Sequence, residues 1–335
     1  MHRLLHLEEA AGPTAVSTGQ LPGAAAVEGL VRAAWERYAP VTDGKVADYI
    51  PVLAAARPDW FGLCVAAVDG TLHAAGEADR AFSIQSISKP FVFALVCQAL
   101  GGGRARECIG VNATGLPFNS VMAIELNRDR TMNPMVNAGA IATTSLVPGR
   151  THAEKWRFLL EGLSRFAGRD LAMDAAVYAS EAATNQRNQG IARLLQGYGR
   201  MYCDPDEATD LYTRQCAVNV TARDLAVMGA TLADGGVNPV TRDRVLDADR
   251  CQRVLAVMAT AGLYEQSGDW LYEVGLPGKS GVAGGLVTIA PGKGGLGTFS
   301  PPLDEAGNSV RGQLATRFLS EQLGLNLFAS AAGPG

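Results

Sequence analysis

The sequence has no excess of basic charge and no long apolar run. Its 29 lysines and arginines stand against 33 aspartates and glutamates, which gives a formal net charge of −4. A protein that follows nucleic-acid phosphates needs a basic surface, so we expect no nucleic-acid partner. The longest unbroken apolar stretch beside a predicted helix, residues 91–97, is far below the ~18 residues of a membrane-spanning helix. Residues 1–9 lack the apolar core of a secretion signal, so we expect no membrane association and a cytoplasmic location.

Cysteine and histidine are scarce and scattered. The six cysteines show no Cys-x-x-Cys spacing, so we expect free, buried thiols rather than disulfides. None of the four histidines pairs with another at metal-ligand spacing, and no serine lies in a Gly-x-Ser-x-Gly motif. These absences argue against a zinc site and against a Ser-His-Asp triad. The glycine-rich segments 101–103 and 292–297 lack the strand-to-helix context of a phosphate-binding loop, and we interpret both as loops.

Strand character lies near both chain ends, and helical character lies between them. Short apolar segments predict strands at residues 61–67, 71–75, 279–289 and 296–299, and Asp69-Gly70 is typical of a hairpin turn. From residue 86 to about 235, nearly every segment is helical in pattern. We therefore predict an α/β fold of the α+β type, in which one antiparallel sheet is made from both ends of the chain and a helical lobe is inserted.

The 335 residues are enough for roughly two domains, or for one large domain with an inserted lobe. We predict a loose extension over residues 1–27 and one catalytic domain over residues 28–330. Its sheet part would cover about 28–85 and 270–330, and its helical lobe about 86–269. Helices starting near residue 27 and spanning about 309–323 would pack on the sheet, and a cleft between sheet and lobe would hold the site.

The first candidate motif is Ser86-Ile87-Ser88-Lys89, an S-x-x-K pattern. Pro90 is tolerated only near a helix start, so the helix must begin close to Ser86. Residues three apart share a helical face, which places Lys89 beside Ser86. A serine nucleophile needs a neighbouring base, and a desolvated lysine can serve. The motif alone leaves a second interpretation open, an N-cap serine followed by a solvated lysine.

The second motif is Lys279-Ser280-Gly281 at the start of a strand. It resembles the K-[ST]-G element that accompanies S-x-x-K in penicillin-recognising enzymes; the other interpretation is an ordinary edge-strand lysine. The S-x-N or Y-x-N element of those enzymes is missing, although residues 181–185 mimic the E-x-x-x-N stretch of class A β-lactamases. The fold argument therefore stands while the argument for a β-lactam substrate weakens.

Several segments together resemble the serine-dependent bacterial-type glutaminases. They are residues 82–89, 117–120, 133–141, 262–264, 276–282 and 299–303. The Asn-Pro-x-x-Asn-Ala-Gly-Ala and Lys-Ser-Gly-Val stretches are specific to that family, and the resemblance runs in order from about residue 28 to 325. Thr131-Met132 departs from the family, which usually has a basic residue before Asn-Pro. The resemblance implies a serine β-lactamase-like fold.

The resemblance also implies roles for individual residues. Ser86 would be the nucleophile, Lys89 its base, and Tyr264 a helper in proton transfer. The residues implied to contact the substrate are Asn137, Glu181, Asn188, Tyr212, Tyr264, Val282 and Tyr49, the last closing the pocket. The residues implied to support the site are Gln85, Lys279, Ser280 and Gly281.

These residue types suit a free amino acid. Glu181 can pair with an α-ammonium, and the donors of Asn137, Asn188 and Tyr212 can bind an α-carboxylate. The backbone N–H groups of Ser86 and Val282 could form an oxyanion hole. Other interpretations stay open: Asn137 as a helix cap, the tyrosines as core rings, and Glu181 and Asn188 as a solvated stripe two turns long on one helix.

The function implied by the resemblance is hydrolysis of L-glutamine to L-glutamate and ammonia through a γ-glutamyl-Ser86 ester. Neither a metal nor an organic cofactor is implied, and a homodimer or homotetramer is. One alternative on the same fold is a β-lactam hydrolase or an acyl transferase of the penicillin-recognising type. Another is a non-catalytic ligand-sensing domain.

Overall fold

The structure is a computed structural model that describes residues 19–48, 50–130 and 132–330. Short 3-10 helices lie at Leu53–Ala55, Gln85–Ile87 and Tyr264–Gln266. The strands are β1 (Gly62–Ala67), β2 (Leu72–Gly76), β3 (Phe82–Ser83), β4 (Asn219–Val220), β5 (Gly278–Gly281), β6 (Gly285–Ala290) and β7 (Gly294–Phe299). The α-helices are α1 (Ala24–Tyr38), α2 (Ser88–Leu100), α3 (Gly102–Ile109), α4 (Met122–Leu126), α5 (Asn137–Ser145), α6 (His152–Ala167), α7 (Ala175–Ala182), α8 (Gln186–Gly197), α9 (Pro205–Cys216), α10 (Ala222–Ala233), α11 (Ala248–Ala261), α12 (Ser267–Glu273) and α13 (Val310–Gln322).

The main sheet joins both ends of the chain. Its strand order is β2-β1-β7-β6-β5, and every neighbouring pair is antiparallel. The hairpin between β1 and β2 turns at Asp69-Gly70, where Gly70 takes the positive φ that such a turn needs. Next to it, β1 pairs with the C-terminal strand β7, with Cys64 opposite Gly297. The predicted sheet of strands from both chain ends is therefore confirmed.

Three local predictions were wrong. Residues 279–289 form two strands, β5 and β6, because a turn at 282–284 reverses the chain, with Gly284 N donating to Gly281 O at 2.9 Å. The glycine-rich segment 292–297 is largely strand β7. Residues 101–103 run directly into α3, so neither segment is only a loop.

The glycines of β7 are needed for packing rather than for a turn. A Cβ at Gly295 would lie 2.3 Å from Ala226 O, and one at Gly297 would lie 2.0 Å from Ala222 O. Both carbonyls belong to α10. Because glycine has no side chain, Gly295 and Gly297 let this helix lie directly on the sheet. On the opposite face, α1 and α13 cover the sheet through an apolar cluster that includes Val31, Leu63, Leu286 and Leu319.

Helix α2 forms the centre of the helical part. Residues 88–97 are all buried, and the ring of Phe91 meets that of Phe166 on α6 at 5.0 Å. The 3-10 turn Gln85–Ile87 before α2 packs against β5 and α9, and α2 itself packs against α5. The predicted boundary between the sheet part and the helical lobe stays a prediction. Helix α10 lies within residues 86–269, the segment predicted as the lobe, and packs on the sheet.

The remaining expectations concern thiols, membrane and termini. All six cysteines are free, and five of them are buried, as predicted. Within the described ranges, no helix combines the length and the apolar character needed to cross a membrane. Helix α1 already begins at Ala24, inside the segment predicted to be a loose extension. Residues 1–18 of that extension, and Tyr49, lie outside the described residues.

Candidate active site

Ser86 lies half-buried in the 3-10 turn Gln85–Ile87, directly before α2. The preceding residue, Gln85, has a φ of +52°, which costs a non-glycine residue about 1–2 kcal/mol. The Ser88 hydroxyl donates to the Gln85 carbonyl at 2.8 Å and so holds this turn. Pro90 lies in the first turn of α2, where it removes no helical hydrogen bond, so the predicted helix start is confirmed.

The strand β5 touches the Ser86 turn through Gly281. A Cβ at Gly281 would lie 3.0 Å from Ile84 O and 3.3 Å from the Cβ of Gln85. A side chain at this position would press on the backbone of the Ser86 turn, so glycine favours the close approach of the two segments. The following residue, Val282, is half-buried in the turn between β5 and β6.

Lys89 is a buried lysine rather than a solvated one. Its side chain is 1% exposed, and its Nζ donates to Asn137 Oδ1 at 2.7 Å. The rings of Phe118, Tyr212 and Tyr264 surround the amine at 5.7–6.0 Å from Nζ. Burial lowers the pKa of Lys89 to about 7, because the charged amine loses its water. Much of this lysine is therefore neutral near pH 7 and able to accept a proton.

A second buried lysine also contacts Tyr264. Lys279 on β5 is fully buried, and its Nζ donates to Tyr264 Oη and to Ser280 O, both at 2.8 Å. Burial, and next the charge of Lys89, lower the pKa of Lys279 well below its usual value. Although β5 is an edge strand, Lys279 is not the solvated lysine that such a position allows.

Tyr264 is held between these two lysines by its backbone. It has a φ of +57° at the start of a 3-10 helix, and the Ser267 hydroxyl donates to its carbonyl at 2.8 Å. Gly262 lets the chain come close to β5, since a Cβ there would lie 1.9 Å from Gly278 O. The ring of Tyr264 lies 5.1 Å from that of Phe118. Tyr264 is thus half-buried in the site rather than a core ring.

A chain of polar side chains continues from Lys89 into the helical part. Asn137 Nδ2 donates to Asn188 Oδ1 at 3.0 Å, and Tyr212 Oη donates to Asn137 Oδ1 at 3.2 Å. Asn137 is the first residue of α5, but its side chain makes no cap; it points to Lys89 instead. Burial raises the pKa of Tyr212 well above its usual value, so this phenol stays protonated.

Glu181 is the carboxylate of the site. It accepts a 2.5 Å hydrogen bond from Gln85 Nε2, and burial raises its pKa to about 7. Glu181 lies in the last turn of α7 whereas Asn188 lies on α8, so the common helix face considered from their spacing is wrong. The two residues reach the site separately, one beside Gln85 and the other beside Asn137.

Ser280 points away from this cluster. Successive residues of a strand face opposite sides of the sheet, and the side chain of Ser280 lies with Leu286 on the face covered by α13. Its backbone carbonyl, not its hydroxyl, contacts Lys279. In the described part of the chain, no group of His, Cys, Asp and Glu side chains could hold a metal ion.

Two residues of the site were given no role from the sequence. Phe118 lies in the segment 117–120, and its carbonyl accepts from Asn137 N at 2.8 Å. Gln215 is buried on α9, three residues after Tyr212. This spacing places both side chains on one helical face, which is the only signal in the sequence that could have indicated Gln215.

Comparison with known proteins agrees with this geometry. The family model described as Glutaminase matches residues 44–328. Glutaminase 2 of Yersinia pestis is 62% identical over 315 residues, which cover 94% of this chain and 93% of that protein. The solved structure of a probable glutaminase, ybaS, superposes with a TM-score of 0.91 at 44% identity, over 92% of this chain and 100% of that one.

A more distant solved structure shares the same fold. A probable glutaminase from Bacillus subtilis, complexed with 6-diazo-5-oxo-L-norleucine, has a TM-score of 0.82 at 30% identity, over 90% of this chain and 96% of that one. The chain belongs to the glutaminase family and has its serine β-lactamase-like fold.

Proposed function

We propose that this chain hydrolyses the side-chain amide of L-glutamine to L-glutamate and ammonia, and that Ser86 forms a γ-glutamyl ester on the way. The observation that carries the mechanism is the pair of buried lysines, Lys89 and Lys279, whose amines surround the ring of Tyr264. The names of the similar proteins support the substrate. The compound complexed with the Bacillus subtilis protein is itself an amino acid by its name.

In the first half of the reaction, Ser86 Oγ attacks the amide carbon. Its proton passes to the neutral amine of Lys89, directly or through the hydroxyl of Tyr264. The carbon–nitrogen bond then breaks, and the departing nitrogen takes up that proton and leaves as ammonia. The lowered pKa of Lys89 supports this role, because a base works best when its pKa lies near the working pH.

In the second half, water attacks the ester carbon and the same groups work in reverse. The base removes a proton from the water, and the proton returns to Ser86 Oγ as the ester bond breaks. Lys279 would hold Tyr264 Oη in place through its 2.8 Å hydrogen bond.

The developing negative charge on the amide oxygen would be bound by backbone N–H groups. We assign the N–H groups of Ser86 and Val282 to this oxyanion hole. The close approach of Gly281 to the Ser86 turn supports the assignment, since it brings the start of the β5–β6 turn next to the nucleophile. The N-terminal end of α2 also favours negative charge here.

The charged head of glutamine would be bound on the side of the helical part. Glu181 would pair with the α-ammonium, in the place where it now accepts from Gln85. The polar chain of Asn137, Asn188 and Tyr212 would donate to the α-carboxylate. Tyr49 as a closing residue and a homodimer or homotetramer remain predictions from the resemblance, and a cytoplasmic location remains a prediction from the sequence.

Acid quenching during turnover tests the proposal. The protein is mixed with glutamine, asparagine or a chromogenic β-lactam, quenched within one turnover, digested and examined by mass spectrometry. We expect ammonia release with glutamine and a γ-glutamyl group on the peptide that contains Ser86. We expect neither with Ser86→Ala, whose rate should fall by several powers of ten. Turnover of glutamine by Ser86→Ala within about tenfold of wild type contradicts the ester mechanism.

A further inference from the structure

Gln215 is a buried, uncharged side chain whose two polar ends are both hydrogen-bonded. Its Nε2 donates to Ser88 Oγ at 3.2 Å, and its Oε1 accepts from Thr144 Oγ1 at 3.0 Å. All three side chains are fully buried. An amide supplies a donor and an acceptor at one position, which a carboxylate or a thioether of similar length does not.

This network ends at the residue before the nucleophile. The Ser88 hydroxyl, which accepts from Gln215, donates its own hydrogen to Gln85 O at 2.8 Å. Gln85 has the unfavourable φ of +52°, so its conformation has to be maintained by its surroundings. The chain from Thr144 through Gln215 and Ser88 therefore reaches the carbonyl that immediately precedes Ser86.

The same network joins the three helices that bring the site together. Thr144 lies on α5, which begins with Asn137. Gln215 lies on α9 beside Tyr212, and Ser88 begins α2. A hydrogen bond between neutral groups in a dry interior has no water to replace it when one partner is removed. Loss of Gln215 would leave the Ser86 turn free to shift relative to α5 and α9.

We propose that Gln215 is a positioning residue, which sets the backbone of the Ser86 turn for attack on the amide carbon. The proposal rests on the proposed function of Ser86 as nucleophile. It predicts an effect on the chemical step and not on binding of the substrate head. A displacement of about 1 Å in a reacting group can lower a rate about a hundredfold.

The test compares Gln215→Met, Thr144→Val and Thr231→Val by the kcat and KM for glutamine and by the rate of γ-glutamyl-Ser86 formation. Thr231 is a matched control on α10. It is fully buried like Thr144, and each hydroxyl shares its hydrogen between the carbonyl four residues earlier and a second acceptor. Its second acceptor is Phe166 O on α6, which is not one of the three helices that the Gln215 network joins.

We expect Gln215→Met to lower kcat and ester formation about tenfold or more, with KM within about twofold of wild type. Thr144→Val should lower kcat by about threefold, and Thr231→Val should leave it unchanged while lowering the melting temperature similarly. If Gln215→Met does not fold, the comparison of Thr144→Val with Thr231→Val decides.

Three results overturn the proposal. The first is an unchanged kcat in folded Gln215→Met, or in Thr144→Val if Gln215→Met does not fold. The second is a raised KM with an unchanged kcat, and the third is an equal loss of kcat in Thr144→Val and Thr231→Val. An active Ser86→Ala would instead overturn the proposed function, so the two failures are distinguishable.

Discussion

The side-chain amide of Gln85 donates a 2.5 Å hydrogen bond to the carboxylate of Glu181, which lies 96 residues away in the sequence. Gln85, which precedes the proposed nucleophile Ser86, is thereby bonded to Glu181, the proposed clamp, which would bind the α-ammonium of glutamine. Burial raises the pKa of Glu181 to about 7, whereas the hydrogen bond from Gln85 acts in the opposite direction. A bound ammonium would further favour the charged carboxylate.

Glu181→Gln distinguishes a clamp from a base. As a clamp, the carboxylate contributes a charged hydrogen bond worth about 1.5–3 kcal/mol, so its loss should lower kcat/KM roughly ten- to a hundredfold, mainly through KM. As a base for deacylation, its loss would let the Ser86 ester accumulate. We expect the clamp. Mass spectrometry of the variant after mixing with glutamine checks it: a stable γ-glutamyl adduct that wild type lacks would refute the clamp.

The pH dependence should follow Lys89 and Glu181 together. Both have a pKa of about 7, and both act in the deprotonated form, Lys89 as a neutral base and Glu181 as a carboxylate. We therefore expect kcat/KM to rise with pH through about 7 and to fall below it. Stopped assays of ammonia release at intervals from about pH 5 to about 9 measure the profile. A flat profile from about pH 6 to 8 would show that neither group titrates in the free protein.

Lys89→Arg and Lys89→Met separate the base from the positive charge. Arginine keeps the charge but cannot deprotonate, so both variants should lose kcat about a hundredfold or more. Lys155→Met serves as control, because Lys155 is also buried but pairs with Glu207 on α9, and it should retain kcat. Substantial activity in Lys89→Arg would mean that the charge, and not the base, is what the reaction needs.

Asparagine should be a poor substrate. It is one methylene shorter than glutamine, so a head held by Glu181 and Asn137 places its amide carbon short of Ser86 Oγ. A misplacement of about 1 Å costs about a hundredfold in rate. The two amides are compared by kcat/KM in one ammonia assay. Similar efficiencies would mean that the head-group contacts are assigned wrongly.

Gly297→Ala should destabilise the fold by pushing α10 off the sheet. The new Cβ would lie 2.0 Å from Ala222 O, and such overpacking costs about 1–3 kcal/mol of the free energy of unfolding. Gly29→Ala in α1 is the control, because a Cβ there meets nothing within 4 Å and alanine favours a helix. Urea unfolding measures both variants. Equal free energies of unfolding for Gly297→Ala and Gly29→Ala would show that α10 can move away from the sheet without loss of stability.

The sequence by itself determined the features that depend on local spacing. Pro90 after Ser86-Ile87-Ser88-Lys89 required a helix start close to Ser86, and α2 begins at Ser88. The Asp69-Gly70 turn between two apolar segments was enough for the β1–β2 hairpin. Strand character at both ends, with helices between, was enough to predict one antiparallel sheet made from both ends of the chain, because that is the simplest arrangement of these elements.

Only the tertiary structure decided the features that depend on burial and on contacts between distant segments. The apolar pattern predicted only residues 296–299 of β7, because the strand begins with glycines, and Gly295 is required by its contact with α10 rather than by strand propensity. The spacing of Glu181 and Asn188 could not show a helix break between them. Most of all, the chemistry of Lys89 and Lys279 comes from their loss of water among helices and sheet, and no pattern of neighbouring residues states how deeply a lysine is buried.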